Sequence, residues 1–158
     1  MLIITLISCN SRQASDLQSG IDSLSIALDS CKLVAQKEEA NKKLVADMYQ
    51  AIFGDKKIEA ADEYILEGYI QHNPMVADGR QALKDALTQW LKNTPKSKID
   101  IKHIGADGDF VYLHTRAKAG SATVSVIDIF RIEGGKIAEH WDVIQEVPDK
   151  SANDHPMF

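Results

Sequence analysis

The chain has 158 residues, of which 44% are hydrophobic and 26% charged, and its formal net charge is -5. This length suits one domain that buries most of its apolar surface without a metal or a disulfide framework. The negative charge disfavours nucleic acid and anionic membrane surfaces as partners, and no apolar run approaches the ~20 residues that cross a bilayer.

The N-terminal residues predict a lipid anchor. An apolar stretch leads into Leu6-Ile7-Ser8-Cys9, which resembles the lipobox of bacterial lipoproteins, where the cysteine is lipidated and the preceding residues are removed. We expect a signal peptide over residues 1–8, lipidation of Cys9 and a location at the cell envelope, with the lipid as the only membrane contact. A frayed apolar terminus is the alternative. With Cys9 lipidated, Cys31 has no intramolecular partner, so no structural disulfide is expected.

Helical patterns follow a polar segment. Residues 10–20 are rich in Ser, Gln, Asn and Asp, which is typical of a tether. Apolar residues at helical spacing then predict an accessory helix and, after it, a first domain helix over 37–53 that stops at Gly54. A second helix is predicted over 57–66, and a third begins at Asp78-Gly79 and ends before Pro95. The predicted organisation is a signal peptide (1–8), a tether with an accessory helix (9–36) and a folded domain (37–158).

The remaining segments predict strands. A short strand over 69–74, closed by Pro74, lies between the second and third helices. Four runs of alternating residues follow at 99–104, 110–117, 123–132 and 137–147, separated by Asp-Gly, Ala-Gly and Gly-Gly turns. These runs predict an antiparallel meander. Helices followed by strands predict an α+β fold in which one curved sheet wraps helices on a single face.

Polar residues interrupt both apolar strands of the last predicted hairpin. Side chains alternate between the two faces of a strand, which places Asp128 on the same face as Val126 and Phe130. On the returning strand, the same rule places two sets of side chains on opposite faces. His140, Asp142 and Ile144 lie on one face, and Ile137, Trp141 and Val143 lie on the other. A carboxyl among Val, Ile and Phe is costly unless it is protonated, hydrogen-bonded or beside a cation, which points to a functional site. Alternatively, Asp128 points to water from a solvated face.

Residues 42–158 resemble the SnoaL-like group of the nuclear transport factor 2-like superfamily. The resemblance rests on the order of the elements, on Tyr-Ile-Gln-His-Asn-Pro at 69–74, on Asp78-Gly79, and on the hairpin motifs Val-Ile-Asp-Ile-Phe-Arg and Gly-Lys-Ile-Ala-Glu-His-Trp-Asp. The tail over 147–158 resembles a subgroup of predicted aldol-condensation catalysts. The family implies a cone of strongly curved sheet around three helices, a pocket for hydrophobic rings or polyketides, and a homodimer formed through the sheet.

The resemblance also implies a proton-transfer site. Ketosteroid isomerases share the superfamily, and Asp128 stands where their neutral, hydrogen-bond-donating aspartic acid stands, while Tyr49 matches their oxyanion-hole tyrosine. Where their general base lies, this chain has His72 and Asn73 instead of an aspartate. SnoaL-like cyclases commonly use an aspartate with nearby histidines. The implied catalytic set comprises Asp128, Asp142, His72 and His140, with Tyr49.

His72 is the predicted base, because histidine side chains exchange protons near neutral pH. Asp128 would orient His72 or donate, together with Tyr49, to an enolate oxygen. The alternative for His72 is a turn histidine bonded to the backbone. The predicted pocket lining is Tyr69, Asn73, Trp90, His114, Val126, Phe130 and Ile144. The alternative for Trp90 is a position in the hydrophobic core, and the alternative for His114 is a position that faces solvent.

No metal and no cofactor is predicted. The candidate residues lie on distant segments without His-x-x-x-His or Glu-x-x-His spacing, and phosphate-binding loops and a Gly-x-Ser-x-Gly elbow are absent from the sequence. We therefore expect a cofactor-independent lyase or isomerase that acts by proton transfer on a hydrophobic carbonyl compound. The alternative is a non-catalytic envelope lipoprotein that binds an apolar small molecule, since one fold hosts both functions.

Overall fold

The computed structural model describes the backbone of residues 4–158 and the side chains of residues 13–158. The chain divides into two units, Met1–Lys37 and Glu38–Phe158. The side chain of Cys9 lies outside the described residues, so its lipidation stays a prediction. No helix within the described part of the chain is both long enough and apolar enough to cross a membrane.

Helix α1 runs from Ile4 to Tyr49. It therefore includes residues 10–20, where the composition predicted an irregular tether, and it continues through the polar stretch at 37–43. Polar side chains support an exposed helix when they bond to each other three or four residues apart. Gln18 Nε2 donates to Asp22 Oδ1 at 2.8 Å, and the Lys32 ammonium lies 3.0 Å from Asp29 Oδ1.

Helix α1 ends in a π-helical turn over Gln50–Gly54. The glycine at the predicted stop has a steric reason, because a Cβ at position 54 would lie 2.8 Å from the carbonyl oxygen of Ser97. At the start of the second unit, Asn41 Nδ2 donates to the carbonyl of Gly108 at 3.1 Å, and Glu38 Oε1 accepts the Gly108 N–H at 2.9 Å. These bonds attach α1 to the turn between two strands of the sheet.

Two shorter helices complete the helical layer. A 3-10 turn over Ile58–Ala60 and helix α2 over Ala61–Tyr64 replace the longer helix predicted at 57–66, because a strand begins at Ile65. Helix α3 spans Arg80–Trp90 and buries Leu83 and Leu87.

Five strands form one mixed sheet: β1 (Ile65–Gln71), β2 (Asp100–Asp107), β3 (Phe110–Ala119), β4 (Ala122–Glu133) and β5 (Lys136–Glu146). Their order is β1-β5-β4-β3-β2, with β1 parallel to β5 and the other neighbours antiparallel. The predicted α+β class and the four-stranded meander are confirmed.

The β4–β5 hairpin sets the register of the site. Gly134 and Gly135 have φ angles of +57° and +75°, and a type I′ hairpin turn requires positive φ at both of its central positions. A bulge then shifts the pairing, so that Ile137 lies opposite Ile132 while His140 lies opposite Phe130. Ile137 is therefore on the face of His140, and its predicted place on the opposite face is wrong.

The two faces of the sheet differ in exposure. The inner face packs on the helices and carries Val111, Leu113, Thr115, Val126, Asp128 and Phe130, all of them buried. The outer face carries apolar residues that are 36–68% exposed, namely Phe110, Tyr112, Ile127 and Val143. Buried Ile52 and Leu87 belong to the same core as the inner face.

Candidate active site

Asp128 lies on the inner face of β4, and its two carboxylate oxygens have different partners. The Tyr49 hydroxyl donates to Oδ2 at 2.9 Å, and His140 Nε2 lies 3.0 Å from Oδ1. Tyr49 is the last residue of α1, and His140 comes from β5, beside Phe130. Asp128 is 4% exposed, so the alternative that its carboxyl points to water is excluded.

The hydrogen bond of the other His140 nitrogen, Nδ1, shows which nitrogen carries a hydrogen. Nδ1 is 2.9 Å from Gln71 Oε1, and the same oxygen accepts the backbone N–H of Asn73 at 2.9 Å. Because this oxygen accepts, His140 Nδ1 carries a hydrogen. Without a further proton, Nε2 and Asp128 Oδ1 would be two acceptors at 3.0 Å. Asp128 and His140 therefore share one proton, as acid and imidazole or as carboxylate and imidazolium.

Aromatic rings surround this pair. The Phe130 ring stacks on His140 with 4.8 Å between ring centroids, and the Tyr49 ring meets Phe130 edge-on at 6.4 Å. Tyr69 lies nearly parallel to His140 at 6.5 Å. All of these rings are buried. Hydrogen bonds in such surroundings are stronger than in water, so the two side chains that share the proton are held in fixed positions.

The two tyrosines remain protonated. Burial raises the pKa of Tyr49 well above its ordinary value of 10.0, and a negative Asp128 raises it further. Burial is also the largest cause of the raised pKa of Tyr69, followed by the charges of Asp128 and Asp142. Tyr49 is therefore a hydrogen-bond donor at neutral pH and does not serve as a base.

A second carboxylate completes the cluster. Asp142 lies opposite Asp128 across the β4–β5 pair, and its Oδ2 accepts from Asn73 Nδ2 at 2.7 Å. One polar atom each from Asp128, His140 and Asp142 lie within 4.8 Å of one another. Asp142 is less buried than the other two, and Ile144, next on its face, is 55% exposed. Asp142 is therefore the member of the cluster with the most contact with solvent.

The same three side chains have the donor types of a divalent-cation site. Carboxylate oxygens and an imidazole nitrogen are common metal ligands, and a ligating histidine usually donates its other N–H to an oxygen, as His140 does to Gln71. A proton shared by His140 and Asp128 explains their 3.0 Å contact without a metal ion. An activity measurement on this site therefore needs a chelator that removes divalent cations.

His72 lies on the other face of the sheet. Its Nε2 is 2.9 Å from Glu139 Oε1, and its ring stacks on Trp141 with 4.4 Å between centroids. Glu139 and Trp141 flank His140 in sequence, so their side chains point away from Asp128. The predicted pairing of His72 with Asp128 is therefore wrong. Period two along the end of β1 turns His72 outward and the residues around it inward: Tyr69, Gln71 and Asn73.

Most of the predicted pocket residues lie at or beside the cluster: Tyr69, Asn73, Val126, Phe130 and Ile144. Trp90 does not, because it is half exposed at the end of α3 and lines a separate depression with Met75. His114 does not either, because it alternates with inward-pointing Leu113 on β3. Its Nε2 lies 2.8 Å from Ser125 Oγ on the outer face.

Two residues of the cluster were missed in the sequence. Gln71 orients His140, as described above. Thr115 is buried, and among the described side chains its Oγ1 is the buried polar atom without a hydrogen-bond partner of ordinary geometry. It lies near enough to the Tyr49 phenol to offset part of the rise in the pKa of Tyr49. Period two would have indicated both, since Gln71 and Thr115 follow inward-pointing residues at a spacing of two.

The sequence profile of SnoaL-like polyketide cyclases matches residues 43–150. No sequence match was found among curated proteins.

Several solved structures resemble the chain. TsrD from Streptomyces laurentii is 21% identical with a TM-score of 0.57, and the match covers 67% of this chain and 88% of that protein. An NTF-2 like protein of unknown function from Burkholderia xenovorans LB400 is 13% identical with a TM-score of 0.62, covering 73% and 91%. An LEH-like epoxide hydrolase from M. tuberculosis is 17% identical with a TM-score of 0.54, covering 68% and 84%. These similarities confirm the predicted α+β cone.

Proposed function

The chain belongs to the SnoaL-like polyketide cyclase family, and we propose that it is a cofactor-independent enzyme that transfers protons on a hydrophobic carbonyl compound. The proposal rests on the proton that Asp128 and His140 share in buried surroundings. A proton in this position can be given to a bound substrate and taken back without a cofactor. The reaction is an enolisation or an aldol-type bond formation or cleavage.

Asp142 is the proposed base. It is the most accessible member of the cluster, and Asn73 holds one of its oxygens, which orients the carboxylate. A carbonyl compound lying over Ile144 would place the carbon beside its carbonyl next to Asp142. Removal of a proton from this carbon moves negative charge onto the carbonyl oxygen, which then needs donors.

Tyr49 and the Asp128–His140 pair are the proposed donors. The Tyr49 hydroxyl donates its one hydrogen to Asp128 Oδ2, and its raised pKa keeps it protonated. When an oxyanion develops, this hydrogen would turn from Asp128 to the substrate oxygen and stabilise its charge. The substrate is expected to be apolar around its carbonyl, because the walls beside the cluster are Val126, Phe130 and Ile144.

Proton exchange in deuterated water tests this function. The chain is incubated with apolar ketones and aldehydes in the presence of EDTA, and deuterium at the carbon beside the carbonyl is measured by mass spectrometry. We expect exchange by the wild type and a loss of about 10²–10⁴-fold on His140→Gln. His72→Gln is the matched control, because it makes the same change on the opposite face of the sheet.

Either of two results would contradict the proposal. Equal losses for His72→Gln and His140→Gln would mean that the inner cluster is not the site of exchange. Loss of exchange on adding EDTA, with recovery on adding a divalent cation, would replace the shared proton by a metal ion at the same three residues.

One feature favours a second function, the binding of an apolar small molecule without catalysis. Both oxygens of Asp128 and both nitrogens of His140 already have protein partners, so the cluster is a satisfied network without a substrate. Such a network can serve as the polar floor of a binding pocket. Thermal stabilisation by a ligand that shows no deuterium exchange would support this function.

The cellular location and the oligomeric state of the domain are also proposals. We propose an envelope lipoprotein anchored through Cys9, as the lipobox predicts, and a homodimer formed through the outer face of the sheet. Support for the dimer comes from the exposed apolar residues of this face, among them Tyr112, Ile127 and Val143. A monomer exposes contiguous apolar surface of this kind only rarely.

A further inference from the structure

The part of α1 over residues 13–37 is exposed along its whole length. Its large apolar side chains are 51–72% exposed: Leu17, Ile21, Leu24, Ile26, Leu28, Leu33 and Val34. A helix gains most of its stability in a protein by packing an apolar stripe against a partner. This segment therefore carries apolar surface that a partner would cover.

The spacing of these residues identifies the kind of partner. One stripe advances by alternating steps of four and three residues: Leu17, Ile21, Leu24, Leu28, Cys31 and Ala35. This is the 3.5-residue repeat of the a and d positions of a coiled coil, which keeps one seam facing another helix. Ile26 and Leu33 lie on the opposite side of the helix and do not belong to the stripe.

The charges permit the partner to be an identical helix. The acidic residues Asp16, Asp22 and Asp29 lie away from the stripe. The flanking e and g positions are small or uncharged, apart from Lys32. In a parallel pair Lys32 would face Ala27 of the second copy, so no like charges would meet. An anionic lipid surface is a poorer partner, because these acidic residues and the net charge of -5 would oppose it.

We propose that this stripe pairs with the same stripe of a second copy as a parallel, in-register, two-stranded coiled coil. Ile21 at an a position with Leu17 and Leu24 at d positions favours two parallel strands. The stripe is about 27 Å long at ~1.5 Å per residue. Cys31 occupies a d position and is exposed in the single chain, so in this arrangement it faces Cys31 of the second copy.

Cross-linking of Cys31 tests the pairing in the full chain. Cys9→Ser leaves Cys31 as the only cysteine, and Val143→Glu removes the contact proposed for the outer face of the sheet. Diamide, a two-electron thiol oxidant, takes two hydrogens from the two thiols and leaves one S–S bond. We expect most of the chain to become a disulfide-linked dimer that reducing agent reverses, and sedimentation equilibrium to give a dimer before oxidation.

Two double variants compare the two sides of the helix. In the Cys9→Ser, Val143→Glu chain, Leu24→Glu with Leu28→Glu places charges in the seam and is expected to weaken dimerisation at least about 100-fold. Ile26→Glu with Leu33→Glu adds the same charges on the opposite side and is expected to leave dimerisation unchanged. Both pairs alter a fully exposed segment, so the folded body serves as an internal check by its thermal unfolding.

Several results would overturn the inference. A monomer before oxidation, or equal weakening by the two double variants, would exclude the seam. A dimer that forms no disulfide at Cys31 would exclude the parallel register. A monomer that binds phosphatidylcholine vesicles, and loses this binding on Leu24→Glu with Leu28→Glu, would assign the stripe to a lipid surface instead.

Discussion

Replacing Asp128 by asparagine is expected to lower the rate of proton exchange by about 10²–10⁴-fold while the fold remains intact. The asparagine amide can donate to His140 Nε2 and accept from the Tyr49 hydroxyl, so both hydrogen bonds of Asp128 have a replacement. The amide cannot, however, hold an exchangeable acid proton with His140. Deuterium uptake by an apolar ketone measures the rate, and near-UV circular dichroism with thermal unfolding measures the fold.

Two further variants, one at another position, separate the effects of lost charge and of lost stability from the effect on the chemistry. Asp107→Asn removes one negative charge at the exposed end of β2 and is expected to leave the rate unchanged. Asp128→Ala leaves the Tyr49 hydroxyl and His140 without a buried partner, at a cost of about 1–3 kcal/mol for each group. A rate that survives Asp128→Asn would rule out the shared proton as the acid and favour the binding function.

Phe130→Ala is expected to lower the free energy of unfolding by about 3–5 kcal/mol. Phe130 is 4% exposed, and its ring stacks on His140 and meets Tyr49 edge-on, so its removal leaves a cavity beside the polar cluster. The loss combines the hydrophobic transfer of the ring with the cost of that cavity. Equilibrium unfolding in urea, followed by circular dichroism at 222 nm, measures the change.

Trp90→Ala is the control for this substitution. It also removes a large aromatic ring, but Trp90 is 51% exposed at the end of α3 and belongs to another depression. We expect less than half of the loss seen with Phe130→Ala, because about half of the Trp90 surface is already in contact with water. Equal losses would mean that the inner face around Phe130 is not the packed core described above.

Much of the fold could be predicted because it depends on local periodicity. The strands β2 to β5 and the third helix follow patterns of period two and 3.6, and the Gly134-Gly135 turn requires positive φ angles that glycine adopts readily. The same patterns placed Asp128 on the face of Phe130. The hydrophobic pattern selects this face for burial, so the sequence already indicated that Asp128 needed a partner.

The segment of α1 over residues 10–20 shows where composition is insufficient. Ser, Gln and Asp are common in tethers, yet here they lie in a continuous helix, in which Gln18 Nε2 donates to Asp22 Oδ1 and Ser23 Oγ donates to the Ser19 carbonyl oxygen. Composition records which residues are present, whereas the helix depends on their spacing and on their bonds within it.

The partner of Asp128 could not be chosen from the sequence. His72 and His140 were both candidates, and the choice depends on how two distant strands meet: β1 lies parallel to β5 with Gln71 beside His140, which turns His72 to the outer face. The bulge before His140 also moves Ile137 to the inner face. The sequence by itself determined the elements, the buried faces and the presence of a polar cluster, because these follow from local periodicity and burial. Only the tertiary structure decided which polar atoms share a proton, because strand order and register involve residues far apart in the chain, and one residue of shift reverses every side chain.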